Sequence, residues 1–155
     1  MKDLGIHAPA TAWAFLLACL TPFFIAAGLF CYGPPDKAGA ALTALITYSA
    51  IMLAFIGGLR AGFEITETPR WRTIGLAMLA VLVALVLEAA PMPADWRIGS
   101  FLIAFIVQWA WDSYRFSHHD PDLEDAPTWR PRMRTLLTLG AALSLSLALE
   151  TALHM

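Results

Sequence analysis

The segment TAWAFLLACLTPFFIAAGLFCY, residues 11–32, runs for 22 residues without a single charged side chain. An α-helix rises 1.5 Å per residue, so about 20 apolar residues cross a hydrocarbon layer of about 30 Å. Four more apolar stretches follow, at about 39–63, 71–90, 98–116 and 133–154. The sequence therefore predicts an all-α fold: a polytopic transmembrane bundle of five spans, forming a single domain over residues 1–155.

The composition agrees with a membrane protein. Hydrophobic residues make up 59% of the chain, charged residues 14%, and the mean hydropathy is +0.64. A soluble domain is closer to a quarter charged. The net charge of −2 leaves no basic surface for phosphates, so nucleic acid is not a predicted partner. The lipid bilayer is the predicted surrounding.

The basic residues predict the orientation of the five spans. After five crossings, eight of the ten lie on one side: Lys2, Arg60, Arg70, Arg72, Arg115, Arg130, Arg132 and Arg134. Lys37 and Arg97 lie on the other. The positive-inside rule then places the N-terminus in the cytoplasm and the C-terminus outside. Five of the six tryptophans lie on the same side as the eight basic residues, as an interfacial belt would.

Small residues recur every four positions in several spans. Because lipid tails are as apolar as leucine, helices in a bilayer associate through small residues and buried polar contacts. We therefore expect three such stripes to pack within the bundle, with self-association as the alternative. They are Ala14, Ala18, Pro22 and Ala26 in the first span, Ala50, Ala54, Gly58 and Gly62 in the second, and Gly140, Ser144, Ala148 and Ala152 in the fifth.

The fourth span carries a polar stripe of Ser100, Ala104, Gln108 and Asp112. Gln108 and Asp112 are costly against lipid, so this face should point inward or towards a water-filled cavity. Charged residues lie near the same level, which predicts a polar cluster of Arg60, Glu64, Gln108, Asp112 and Arg115. The favoured interpretation is a structural clasp between the second and fourth spans. The alternative is a site for an anionic headgroup, a quinone carbonyl or a proton.

Other polar groups support weaker hypotheses. Candidate contacts to a lipid headgroup are Trp129, Arg130, Arg132 and Arg134, although the positive-inside rule explains these arginines without a ligand. Glu88 shares a helix face with Ala80 and Ala84 and is expected to point inward. The residues from His118 to Asp122 include two histidines and two aspartates, but they lie in a proline-rich loop without a helical frame. No metal site, cofactor or catalytic residue is predicted.

Several short motifs follow one another in an order typical of a known family. They are Leu20-Thr21-Pro22-Phe23, Tyr48, Phe55-Ile56-Gly57-Gly58, Gly62, Gln108, Asp112, Pro127-Thr128-Trp129, Arg132, Arg134, Leu137 and Thr138. On these residues the chain resembles domain of unknown function 3429, a family of short five-span bacterial membrane proteins with a mitochondrial relative. Leu59-Arg60 departs from it, since members tend to carry an aromatic or histidine pair there. The resemblance implies the fold and an energy-transducing type of membrane, but no reaction.

Three functions remain open, in order of preference. The first is a non-enzymatic accessory or assembly component of a larger inner-membrane complex, which the small-residue faces favour. The second is a homo-oligomeric transporter or channel for ions or small solutes, built around Ser100, Gln108 and Asp112. The third is a protein that binds lipid or quinone. An enzyme is disfavoured, because the chain has no recognisable catalytic motif.

Overall fold

The structure is a computed structural model, and it describes residues 9–67, 71–118 and 129–154, except for the side chains of residues 60–61, 63–67, 71–74, 76–77, 115–118 and 129–131. Within this part of the chain it contains five helices and no strand. They are α1 (Ala10–Tyr32), α2 (Pro35–Glu67), α3 (Trp71–Ala89), α4 (Ala94–His118) and α5 (Trp129–Leu153). The prediction of an all-α bundle of five helices is confirmed.

Three helices begin earlier than the sequence predicts, and a proline lies in or next to the first turn of each. α4 begins at Ala94, directly after Pro93, instead of at about 98. α2 begins at Pro35 instead of about 39, and α5 begins at Trp129 and includes Pro131 instead of starting near 133. The first amides of a helix have no intrahelical acceptor, so a proline there loses no hydrogen bond. Proline is unfavourable inside a helix, but Pro35 and Pro131 lie in the first turns of α2 and α5. α1 also continues as a helix through Pro22.

Three segments are long and apolar enough to cross a membrane by length and composition: Ala10–Tyr32, Pro35–Leu59 and Arg132–Leu153. Met78–Ala89 in α3 is a shorter apolar helical segment. These helices support a membrane protein. This finding holds for the described part of the chain, and the predicted count of five spans stays a prediction.

The core lies where α1, α2, α4 and α5 meet. Its largest fully buried side chains include Phe23, Phe101, Phe105, Leu45 and Leu145. α1 packs against α2 and α5, and α4 packs mainly on α5, while α3 packs mainly on α2. Although a short turn joins α3 to α4, these two helices contact each other only lightly. A gap therefore remains between them on the outside of the bundle.

The three stripes of small residues behave differently. On α1, Ala26 is buried, whereas Ala14 and Ala18 are exposed, so the prediction that these two pack inside the bundle is wrong. On α5, Ser144 and Ala148 are fully buried, and a Cβ added at Gly140 would lie 2.5 Å from Leu20 Cδ2. The predicted close-contact face of α5 is thus confirmed. On α2, Gly58 is exposed, and a Cβ added there would meet nothing within 4 Å. The prediction that Gly58 packs inside the bundle is wrong, because residue spacing defines a face but not the partner that covers it.

Candidate functional site

A buried ion pair joins α4 to α5 near the ends of these helices. Arg134 Nη1 donates to Asp112 Oδ2 over 3.0 Å. The Asp112 side chain is 4% exposed and that of Arg134 is 24% exposed. One turn away, Trp109 Nε1 donates to Thr135 Oγ1 over 3.2 Å, again from α4 to α5. Two polar contacts therefore hold the same pair of helices at one level.

This ion pair changes the composition of the predicted polar cluster. Asp112 is buried, as expected, but its described ionic partner is Arg134 on α5, which sequence analysis assigned to the headgroup contacts. The side chains of Arg60, Glu64 and Arg115 lie outside the described residues, so the predicted clasp between α2 and α4 stays a prediction. Asp112 lies six residues before the end of α4, and Arg134 five after the start of α5. In consecutive antiparallel helices, these offsets indicate the same level.

The four candidate headgroup contacts are therefore divided. Arg134 pairs with Asp112 inside the bundle, while Arg132 is exposed. The side chains of Trp129 and Arg130 lie outside the described residues. Of the two candidate arginines whose side chains the structure describes, Arg132 is the one that is exposed.

A groove of about 380 Å³ occupies the gap between α3 and α4. Its walls are mostly apolar, and Leu53 of α2 contributes to the lining. Ser100 and Gln108 are polar residues in it, and Trp111 lies towards the same end as Gln108. The full lining is Leu53, Leu79, Ala80, Val83, Leu87, Ser100, Ile103, Ala104, Val107, Gln108 and Trp111.

Gln108 is the notable polar group of this groove. Its amide nitrogen, Nε2, is buried and has no hydrogen-bond partner within the described structure. The predicted polar stripe of α4 is thus split. Ser100, Ala104 and Gln108 line the groove, whereas Asp112 pairs with α5. Residues of this stripe therefore lie in two different environments, the groove and the contact with α5.

Two further polar contacts lie near the C-terminal end of α3, where Glu88 and the Ala90 carbonyl accept hydrogen bonds. Thr47 Oγ1 on α2 donates to Glu88 Oε1 over 2.8 Å, so Glu88 points inward, as its helix face predicts. Arg97 Nη2 donates to the carbonyl of Ala90, just after α3, over 2.6 Å. A cation near the C-terminal carbonyls of a helix interacts favourably with the helix dipole. These contacts fix the turn between α3 and α4.

The comparison with protein families identifies the chain. The model of the family described as "Protein of unknown function (DUF3429)" matches residues 8–150. The chain belongs to the DUF3429 family. No curated protein and no solved structure matches the chain. The family assignment made from the sequence motifs is confirmed, and its description states no activity.

In this DUF3429 protein, Tyr48 of α2 contacts α1 at the motif Leu20-Thr21-Pro22-Phe23. Pro22 has no amide hydrogen, so it leaves the Ala18 carbonyl without its usual helical donor. Around this point Thr21 Oγ1 donates to the Leu17 carbonyl over 2.7 Å, and Tyr48 Oη donates to the Cys19 carbonyl over 2.9 Å. Donors on neighbouring helices are how membranes tolerate an internal proline.

The same family residues also build the aromatic part of the core. The Phe23 ring meets the Tyr48 ring edge-on with centroids 5.0 Å apart, and the Phe105 ring with centroids 6.0 Å apart. Such edge-to-face pairs are favourable beyond their buried area. The sequence alone did not predict this role of Tyr48. The signal that could have predicted it is a tyrosine inside an apolar span that follows a span with an internal proline.

Two other features of this DUF3429 chain bear on the site. Leu59, in the Leu59-Arg60 pair that departs from the resemblance, is exposed, and the Arg60 side chain lies outside the described residues. The sequence predicts a loop over residues 118–122. That prediction is wrong for His118, which ends α4, and residues 119–122 lie outside the described residues. Among the residues that the structure describes, no group of three or more His, Cys, Asp or Glu side chains is placed to hold a metal.

Proposed function

We propose that the chain crosses a bacterial inner membrane five times, with its N-terminus in the cytoplasm and its C-terminus outside. Three helices have the length and composition of spans. At 1.5 Å per residue, α3 and α4 reach about 28 and 37 Å, which also suits a bilayer. The eight-to-two division of basic residues supports the orientation. All five helices carry large apolar side chains on the outside of the bundle, as lipid requires.

Within that membrane, we infer a non-enzymatic accessory or assembly role in a larger complex. Several of the described polar contacts tie helices to one another: Arg134 to Asp112, Tyr48 to the Cys19 carbonyl, and Thr47 to Glu88. These contacts are structural. They help to hold the five helices together in one bundle, and the bundle would contact a partner protein through its outer faces.

The observation that carries this inference is the open face at Gly58. This glycine is exposed on α2, and the space above it is free within 4 Å. Backbones of membrane helices approach closely where small residues meet, so this point admits another helix at short distance. The partner is a span of a larger membrane complex, or a second copy of this chain.

The transport hypothesis has less support. The polar stripe that motivates it does not line one continuous polar path, since Asp112 pairs with Arg134 while Gln108 lines an apolar groove. Transport would also need at least a dimer, because an odd number of spans does not divide into two inverted halves. The accessory role therefore remains the proposed function.

Replacing Gly58 with leucine should abolish most of the association with the partner. A side chain at a close helix contact keeps the backbones apart, and a loss of about 1.4 kcal/mol lowers association about tenfold. Gly75→Leu is the matched control, because Gly75 is also exposed, lies on α3, and has free space around it. The measurement is co-purification of a stoichiometric partner with the tagged full chain in mild detergent.

Two results would count against the accessory role. One is a wild-type chain that purifies as a clean monomer without a stoichiometric partner. The other is equal recovery of the partner with Gly58→Leu and Gly75→Leu, which would show that the face at Gly58 is not the interface.

A further inference from the structure

The groove between α3 and α4 has the length of one membrane leaflet. It runs along α3 from Leu79 to Leu87 and along α4 from Ser100 to Trp111. At 1.5 Å per residue these segments span about 12 and 16 Å. Half of a hydrocarbon layer of about 30 Å is about 15 Å. The groove thus extends over roughly the depth that one hydrocarbon chain occupies in a leaflet.

The size of the groove favours a chain-like occupant over a protein helix. A helix 10–12 Å in diameter that rises 1.5 Å per residue fills about 120–170 Å³ per residue. The groove, at about 380 Å³, would hold only about two to three such residues. That volume lies within the usual range of small-molecule sites, about 300–1,000 Å³.

The distribution of polar groups in the groove indicates that its occupant is apolar and carries a hydrogen-bond acceptor at one end. Its walls are apolar along most of their length, which suits a hydrocarbon chain. Near one end, the buried Gln108 Nε2 needs a hydrogen-bond acceptor, and within the described structure it has none. Gln108 lies one helical turn from the ion pair at Asp112, and the indole of Trp111 lies beside it. Tryptophan and charged groups are typical of the boundary between hydrocarbon and headgroups.

We propose that this groove binds one acyl chain of a phospholipid, with the ester carbonyl accepting a hydrogen bond from Gln108 Nε2. The ester is the acceptor that a phospholipid carries at the end of its acyl chain, at the boundary where Gln108 lies. A prenylquinone also offers a carbonyl and a chain, but the single-leaflet length of the groove and the position of Gln108 near its polar end favour the ester lipid. The site is independent of the face at Gly58.

The first test compares ester and ether phospholipids with the unmodified full-length chain. The chain is reconstituted into bilayers that contain equal amounts of dioleoyl phosphatidylglycerol and its dialkyl ether analogue, and native mass spectrometry records the retained lipid. Since the ether analogue lacks the carbonyl, the ester lipid should be retained about three- to tenfold better. Gln108→Leu, which removes the donor, should abolish this preference. Equal retention of the two lipids by the wild-type chain would overturn the proposal.

The second test blocks the groove itself. Val107 lines it and is 59% exposed, while its neighbour Ile106 is 46% exposed on α4 but does not line it. Val107→Trp should lower the retained phospholipid about tenfold, whereas Ile106→Trp should retain as much as the wild-type chain. Because both side chains face outward, both variants should fold. Equal retention by the two variants contradicts the site, as does displacement of the phospholipid by an equimolar prenylquinone.

Discussion

Arg134→Met should lower the free energy of unfolding by about 3–5 kcal/mol, the usual cost of breaking a buried ion pair. The substitution leaves the Asp112 carboxylate, which is 4% exposed, without its cationic partner on α5. A buried carboxylate is costly in a medium of low dielectric constant, and removal of the guanidinium that pairs with it raises this cost. The measurement is equilibrium unfolding of the reconstituted chain with a denaturing detergent.

The reciprocal variant should cost less. Asp112→Asn keeps a hydrogen-bonding side chain of the same size, and the remaining arginine, at 24% exposure, can extend towards the headgroups. We therefore expect about half the effect of Arg134→Met. Arg132→Met is the control, since Arg132 is exposed two positions earlier, and it should change stability by less than about 0.5 kcal/mol. If Arg134→Met and Arg132→Met were equally stable, the ion pair would not stabilise the bundle.

Phe23→Ala should destabilise the bundle by about 2–4 kcal/mol. Phe23 is 0% exposed and contacts the rings of Tyr48 and Phe105, so truncation leaves a cavity where α1, α2 and α4 meet. In soluble proteins Phe→Ala costs about 3–5 kcal/mol. The expected value is lower here, because lipid is as apolar as the core and the transfer of the side chain contributes little.

The adjacent Phe24 gives a matched control for this prediction. Phe24 is 46% exposed on the outside of α1, and its truncation removes contacts with lipid instead of core packing. Phe24→Ala should therefore cost less than about 1 kcal/mol. The same unfolding experiment measures both variants, and a loss at Phe24 as large as the loss at Phe23 would be inconsistent with the described core.

The sequence predicts those parts of the fold that depend on one helix at a time. The runs of apolar residues predicted the positions of all five helices. The four-residue spacing correctly predicted that the side chains of Asp112 and Glu88 point into the bundle. The helix starts at Pro35 and Trp129 were missed, because proline is unfavourable inside a helix yet harmless in its first turn.

Features that depend on two helices were less predictable. The ion pair of Asp112 with Arg134 requires knowing that α4 lies against α5, and residue spacing within one helix does not contain that information. The groove exists because α3 packs on α2 and leaves α4 partly uncovered, which composition cannot reveal. For the same reason, Gly58 was predicted inside the bundle although it faces outward.

The residues that carry the family resemblance fall into two groups. Pro22, Phe23 and Tyr48 act together in the core, where Tyr48 donates to a carbonyl one turn before the proline and packs on the neighbouring phenylalanine. The role of these three residues is structural. Gln108 differs from them, because its amide nitrogen is buried beside a groove without a partner in the described structure. It is the family residue to which we assign a ligand.

The most direct test of the membrane account is the side on which the C-terminus emerges. Alkaline phosphatase, which is active outside the cytoplasm, and a green fluorescent protein, which is fluorescent inside it, are each fused after Met155 of the full chain in a bacterial host. Five spans with a cytoplasmic N-terminus predict an active phosphatase and a dark fluorescent protein. A fluorescent fusion with an inactive phosphatase would contradict the five-span topology.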